Sequence, residues 1–428
     1  MSKFEAFFEK ANPVIGKITA NKTLQAISAS MMGLFPITII GSLCLLLYVV
    51  GAQIAPLGEF FTTTGIGAVL IKVNSLTIGL LAVYVVVLMG KNIAKTFSEE
   101  DDGISAAVIA LLCFLIVTPL GATEAGATFI PTTWLGATGI FSAMIIGIVV
   151  ARLYVFVKGK GWTIKMPAGV PPMVSKVFES LIPSILIGII FMAVNFIFTQ
   201  TSFENMHQAI YTIIQIPLQG LGGNIWAMIL FSLIAQTLWF FGIHGTNVVS
   251  PIYTPIWMAL DAANMNAVAA GGNPTNIIGN AFFQTYTFGG MVLGFVFLMA
   301  FVAKSKQFKS LGRLSLVPAI FGVTEPVIFG TPLVLNFIFA IPFILGNVVA
   351  IIVAYLATAS GLVPVMNGIA PIFGLPIGLH AAIQGSWQII VLQVVLVVVV
   401  GLVWFPFFKI ADRRAVEAEH AAELETKE

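Results

Sequence analysis

Residues 314–335 read LSLVPAIFGVTEPVIFGTPLVL. The run is apolar enough to enter a bilayer core, which a helix crosses in about 17–25 residues. Yet it holds Pro318, Pro326 and Pro332, with Gly322 and Gly330 between them. Proline removes a backbone N–H and breaks a helix. Broken backbone survives at membrane depth only where protein buries it or it lines a cavity. The stretch is therefore predicted to enter and leave on one side, as a re-entrant hairpin with Thr324-Glu325-Pro326 near its tip.

The sequence around it is almost empty of charge. Residues 314–408 contain no Lys or Arg, and Glu325 is their one acidic residue; 177–303 also lacks Lys and Arg. Over all 428 residues, 58% are apolar, 9% are charged and the net charge is +2. An average soluble domain has about 45–50% apolar and 25% charged residues. These values exclude a soluble globular enzyme, a disordered chain and a nucleic-acid binder with a basic face. Cys44 and Cys113 are the only cysteines, which excludes a disulfide framework. Both lie inside apolar runs and read as small packing residues.

An all-α integral membrane fold follows. Ten apolar runs have the length of a crossing: 27–50, 73–90, 104–120, 136–151, 177–198, 220–241, 251–270, 283–303, 336–357 and 387–408. The run 251–270 is the weakest, because Asp261, Asn264 and Asn266 interrupt it. Basic residues set orientation, since cytoplasmic loops collect them. With the N-terminus inside, nineteen of twenty Lys and Arg fall on the cytoplasmic side and only Lys72 falls outside. Both termini are therefore expected to be cytoplasmic, with an even number of spans. Phe4, Phe7 and Phe8 with Lys3, Lys10 and Lys17 suit either a short interfacial helix or a plain helical start, not a cleavable signal. The tail from Lys409 reads as a solvated helix that frays.

A second re-entrant segment is expected at 361–384, GLVPVMNGIAPIFGLPIGLHAAIQ, ending on His380 and Gln384. Gly- and Pro-interrupted apolar segments are the sequence pointer to a transporter's binding site. The chain thus divides into a scaffold half, 1–200, with plainer helices, and a transport half, 201–428.

Glu325 is the sharpest chemical feature. A carboxylate at a helix centre in the bilayer costs at least about 2.5–3.5 kcal/mol. It must line a polar cavity, be protonated or have a partner, so it reads as a substrate acceptor or base, or as a protonated group bonded to the hairpin backbone. His244 sits in FFGIHGTN between Gly242 and Gly245, with Thr246 and Asn247 beside it. It suits a ligand contact or a bond to a carbonyl. The patch 271–287, GGNPTNIIGNAFFQTYT, spaces Asn273, Asn276, Asn280, Gln284 and Thr287 at roughly helical steps. Trp239 and Trp387 flank these patches; Trp stacks on sugar rings and also populates interfacial belts. Asp261 is either an ion site or the end of a tilted span. Gly290 and Gly294 form a small-residue packing pair. The four histidines have no metal-ligand spacing, and neither metal nor cofactor is expected. Trp, His, Glu and Asn without Arg or Lys suit a neutral carbohydrate. The substrate-binding set is Glu325, His244, Trp239, Asn247, Asn280 and Trp387, with Glu325 and His244 the candidates for chemistry.

FGVTEPVIFGTP (321–332) resembles the membrane subunit, enzyme IIC, of bacterial phosphotransferase sugar uptake systems. FGIHGTNVV (241–249), NFIFAIP (336–342), KANPVIGKITANKTLQAI (10–27) and MMGLFPITIIGS (31–42) are similar to the lactose/cellobiose/chitobiose family. The resemblance covers nearly the whole chain. It implies ten spans with two hairpins, a multi-pass protein of the bacterial inner membrane, and a homodimer formed through the N-terminal half. It further implies a β-linked disaccharide carried inward and phosphorylated by a phospho-cysteine of a separate cytoplasmic IIB protein, with IIA upstream. The family's functional glutamate and histidine fall on Glu325 and His244. Such a chain is a permease component, not a stand-alone enzyme. Two other classes compete: a proton-coupled sugar symporter using Glu325 or Asp261, and an enzyme acting on a lipid-linked glycan. The missing Arg and Lys weigh against the second.

Overall fold

The computed structural model describes residues 21–425 except 54, 99–100, 125, 168, 332 and 370–374, together with most of their side chains. The expected N-terminal interfacial helix lies outside the described residues. Described backbone is overwhelmingly helical, and the chain forms two compact units, Met1–Gly220 with Ser250–Ala262, and Leu221–Val249 with Ala263–Glu428. Among the described residues, six helices are long and apolar enough to cross a membrane, or seven if Met206–Gly222 and Ile225–Phe240 count as one span.

The first unit contains α1 (Lys22–Gly33), α2 (Phe35–Gln53), α3 (Ala55–Thr64), α4 (Ile66–Thr77), α5 (Leu81–Phe97), α6 (Ile104–Ile116), α7 (Ile140–Gly159), α8 (Pro172–Thr199), α9 (Met206–Ile210) and most of α10 (Ile216–Gly222). Small residues set its helix contacts. A Cβ on Gly90 would meet Ala107 and Ala110 of α6, and one on Gly147 would meet Met89, so α5 lies against both α6 and α7. Without a hydrophobic driving force in lipid, such close approach is what packs helices. The loop between α6 and α7 carries a two-stranded hairpin, β1 (Gly121–Ala122) with β2 (Thr128–Phe129).

His207 is fully buried, stacked on Trp134 at 5.7 Å and edge-on to Phe114. Its Nε2 lies 2.9 Å from the Thr118 hydroxyl and its Nδ1 2.7 Å from the Ser142 hydroxyl, and those hydroxyls also donate to the Phe114 and Gly139 carbonyls. Each ring nitrogen thus has a polar neighbour, which is what burial demands.

In the second unit α11 (Ile225–Phe240) packs on α17 (Ala340–Ala359), and α17 on α19 (Trp387–Glu425). The expected span 283–303 is not one helix. It divides into α13 (Asn280–Tyr286), a 3-10 turn at Phe288–Met291, α14 (Leu293–Phe297) and a π-helical turn at Leu298–Val302. Gly289 and Met291 adopt positive φ there, which no continuous helix allows. Gly294 packs as its small size suggests, its would-be Cβ meeting the Val397 carbonyl and the Gly401 backbone of α19. Phe295 stacks on Trp404 at 4.5 Å, with Phe339 and Phe408 around them.

The polar interruption at Asn264 is a structural pin on α12 (Gly245–Ala269). Its amide donates to the Asn276 and Met366 carbonyls at 2.8 and 3.1 Å and accepts from the Thr275 and Asn276 N–H groups. One buried side chain thus holds the 271–279 loop and the 361–369 segment.

Two expectations change at the basic cluster. The segment predicted as a hairpin from 314 begins earlier, as α15 (Lys306–Ile320), so Lys306, Lys309 and Arg313 ride a helix and not a loop. The tail does not simply fray in water. α19 continues to Glu425, and its carboxylates reach back to the start of α15. Asp412 accepts from the Lys304 and Ser305 N–H groups at 2.9–3.2 Å, and Glu419 from those of Lys306 and Gln307 at 2.9–3.0 Å. The Ser305 hydroxyl accepts from Phe308 N–H at 3.1 Å. A helix start leaves four N–H groups without intrahelical partners and favours negative charge; here every one is met. Asp412→Ala should lower stability by about 1–3 kcal/mol, the cost of stranded buried donors. Exposed Arg413→Ala should stay within about 0.5 kcal/mol. Thermal unfolding in detergent compares them, and equal effects would contradict the capping role.

Candidate functional site

A cavity of about 290 Å³ lies within the second unit. That is near the lower end of ligand pockets, about 300–1,000 Å³. α11 supplies Ala235, Gln236 and Trp239; the turn after it supplies His244, and the start of α12 Thr246; α13 supplies Phe283 and Gln284, with Thr287 just past its end. Phe321, Gly322 and Thr324 come from the break between α15 and α16 (Glu325–Gly330), Ile328 from α16 itself, Phe343 and Asn347 from α17, and His380 from α18 (Leu379–Ala382).

Local backbone explains these placements. α15 ends at Ile320, and Gly322 takes φ 82°, a conformation side-chain-bearing residues resist. The chain then turns through Thr324 and restarts at Glu325 with Pro326 in the first helical turn, where a missing N–H costs nothing. Gly245 allows another close approach, because a Cβ there would collide with the Ala235 carbonyl of α11. His244 consequently sits over Trp239, ring centroids 4.4 Å apart. It also caps α12: Nδ1 accepts from Asn247 N–H at 3.3 Å. A neutral His244 therefore carries its proton on Nε2, the edge free to donate.

The lining holds no Lys, Arg, Asp or other charged side chain among the described residues. Nine buried side-chain atoms in the described structure lack a partner, and two belong to this wall: Asn347 Oδ1 and His380 Nδ1. An unpaired buried polar atom is expensive unless water or a ligand meets it.

The family model "Phosphotransferase system, EIIC" matches residues 28–347. The chain belongs to this EIIC family. It is 35% identical to the oligo-beta-mannoside-specific EIIC component of Bacillus subtilis (strain 168), over 98% of this chain and 97% of that one. It is 33% identical to the cellobiose-specific EIIC component of Geobacillus stearothermophilus, over 98% and 97% of the two chains. Among solved structures it is similar to the transporter ChbC, the IIC component from the N,N'-diacetylchitobiose-specific phosphotransferase system. There the TM-score is 0.89 at 32% identity, covering 97% of this chain and 99% of that one. The protein is thus an integral membrane EIIC permease.

Of the residues singled out in this EIIC chain, the structure brings His244 and Trp239 together at the cavity. Glu325 begins α16 directly after the lining residue Thr324; its side chain lies outside the described residues. Asn247 is exposed, and it is its backbone N–H that meets His244; its side chain is not in the lining. Asn280 is buried behind the wall and accepts from Gln284 Nε2 at 3.2 Å, so it orients a lining residue instead of forming one. Trp387 is 69% exposed at the start of α19 and does not line the cavity. Gln236 and Asn347 were missed. Each is the one amide in an otherwise apolar helix, and that was the available signal.

Gln393 positions two walls at once. Fully buried on α19, it accepts from Gly378 N–H at 2.8 Å and donates to the Thr285 carbonyl at 2.9 Å. It thereby fixes the backbone beside His380 and beside Gln284. Gln393→Leu should cost about 1–3 kcal/mol by stranding two buried groups, whereas Asn347→Leu should cost nothing or stabilise the ligand-free protein. Thermal unfolding without ligand separates the two; a matching loss in both would mean that Asn347 is structurally paired.

Proposed function

We propose that this EIIC permease binds a β-linked disaccharide in the second-unit cavity and releases it as a sugar phosphate on the cytoplasmic side. The observation that carries this reading is the lining, uncharged among the described residues, which includes the Trp239–His244 pair and also Asn347 and His380, whose Oδ1 and Nδ1 are buried without a partner. Hydroxyl groups satisfy such atoms, and an indole takes the apolar face of a sugar ring. An anion would require cations the wall lacks. The relatives named for oligo-β-mannoside, cellobiose and diacetylchitobiose support the β-linked class.

In the proposed reaction the sugar hydroxyl attacks the phosphorus carried by a cysteine of a separate IIB protein, itself charged through IIA. The O–P bond forms, the S–P bond breaks, and the cysteine leaves as thiolate. Glu325 takes the hydroxyl proton. His244 donates Nε2–H to the reacting oxygen, and its capping bond from Asn247 N–H holds the ring in that orientation. We further propose ten crossings with both termini cytoplasmic, the two re-entrant segments at 314–335 and 361–384, a scaffold half at 1–200 through which two copies pair, and a transport half at 201–428. Family membership weighs against the proton-coupled symporter.

Glu325→Gln should retain sugar binding while phosphorylation falls about 10²–10⁴-fold, the usual worth of a general base. Sealed vesicles given labelled cellobiose or diacetylchitobiose, with and without a phosphoryl donor and the soluble partners, measure this. Sugar phosphate accumulation in wild type alone is the expected result. Free sugar driven by a pH gradient, or normal phosphorylation by the variant, would overturn the assignment.

A further inference from the structure

A second cavity, of about 500 Å³, lies within the first unit. Asn21, Lys22 and Thr23 at the start of α1, Phe97 at the end of α5, and Ile148 and Arg152 of α7 line it. The Arg152 guanidinium sits 3.9 Å from the centroid of the Phe97 ring. That cation–π contact holds the guanidinium over the ring, and a guanidinium so held keeps N–H donors for a phosphate.

Three carboxylates of this unit, Asp101, Asp102 and Glu179, are engaged with other cations. Lys158 binds Asp101 at 2.8 Å and Glu179 at 3.6 Å, and Lys176 binds Asp102 at 3.2 Å. The Asp102 carboxyl is held below the usual range, first by the Ile104 N–H and then by Lys176. Neither Lys22 nor Arg152 has a carboxylate partner among the described residues, and no described lining residue is acidic. The Asn21 amide oxygen is spent on the Thr23 and Leu24 N–H groups, so it does not neutralise them. Two cations without a carboxylate partner among the described residues therefore line one pocket, together with Asn21, Thr23, the Phe97 ring and the Ile148 side chain.

We infer that this cavity binds a phosphate group, supplied by the headgroup of an anionic phospholipid. Arg and Lys take the phosphate oxygens, and Phe97 and Ile148 face the glycerol and first acyl carbons. Basic pockets between membrane helices bind such headgroups. The site shares no lining residue with the second-unit cavity, and the inference stands independently of the proposed reaction. It predicts that lipid is a resident ligand of the first unit.

Native mass spectrometry of the full chain in detergent tests it, with phosphatidylglycerol and phosphatidylcholine titrated separately. The variants are Arg152→Gln, Lys22→Gln and the pair, with exposed Lys409→Gln as control. Wild type should retain phosphatidylglycerol over phosphatidylcholine, each Gln should weaken it about fivefold and the pair roughly 25-fold, while Lys409→Gln leaves it unchanged. Inorganic phosphate is added as competitor: displacement of the lipid identifies phosphate alone as sufficient, and retention shows that the glycerol and acyl contacts hold it. Equal retention of both lipids, or equal phosphatidylglycerol on wild type and the double variant, would overturn the inference.

Discussion

Polar groups inside an apolar slab must find partners, and most of this structure answers to that constraint. The second unit breaks its helices repeatedly and must therefore pair what each break exposes. Asp412 and Glu419 meet the open start of α15. Asn264 holds two loops with one amide, and Gln393 ties the backbone at Gly378 to that at Thr285. Asn347 Oδ1 and His380 Nδ1, on two residues that line the cavity, are among nine buried side-chain atoms without a partner in the described structure. The helix breaks are paired internally, and the cavity is left with an uncharged polar lining among the described residues.

Function depends on that division. A neutral sugar presents hydroxyls in every direction and no charge, so a wall of amides, imidazoles and an indole matches it without paying to desolvate an ion. His244 shows how fold and chemistry meet in one side chain. Its ring caps a helix through Nδ1, and the same bond fixes which nitrogen presents a proton. The close contact at Gly245 sets its distance from Trp239.

Much of this was legible in the sequence, for identifiable reasons. Charge depletion in 177–303 and 314–408 reports the solvent directly, and the Pro and Gly spacing around Thr324 marks a real helix break. His244, expected from its flanking glycines, and Trp239, expected from its place beside the polar patches, both line the cavity. Asn247, Asn280 and Trp387, expected from their spacing and nearness to the same patches, lie outside the lining; their places depend on helix phase and tertiary contacts that spacing does not encode. Gln236 and Asn347 carried the better signal, a lone amide in an apolar helix. The start of α15 was displaced because its basic residues read as loop, whereas carboxylates more than a hundred residues away stabilise them as helix.

A structure of the protein with bound cellobiose or diacetylchitobiose tests the central claim most directly. The account predicts the sugar in the second-unit cavity, a ring over Trp239, and hydroxyls within hydrogen-bond distance of Asn347 Oδ1, His380 Nδ1 and His244 Nε2. A sugar bound elsewhere, with Asn347 and His380 still unpaired, would contradict it.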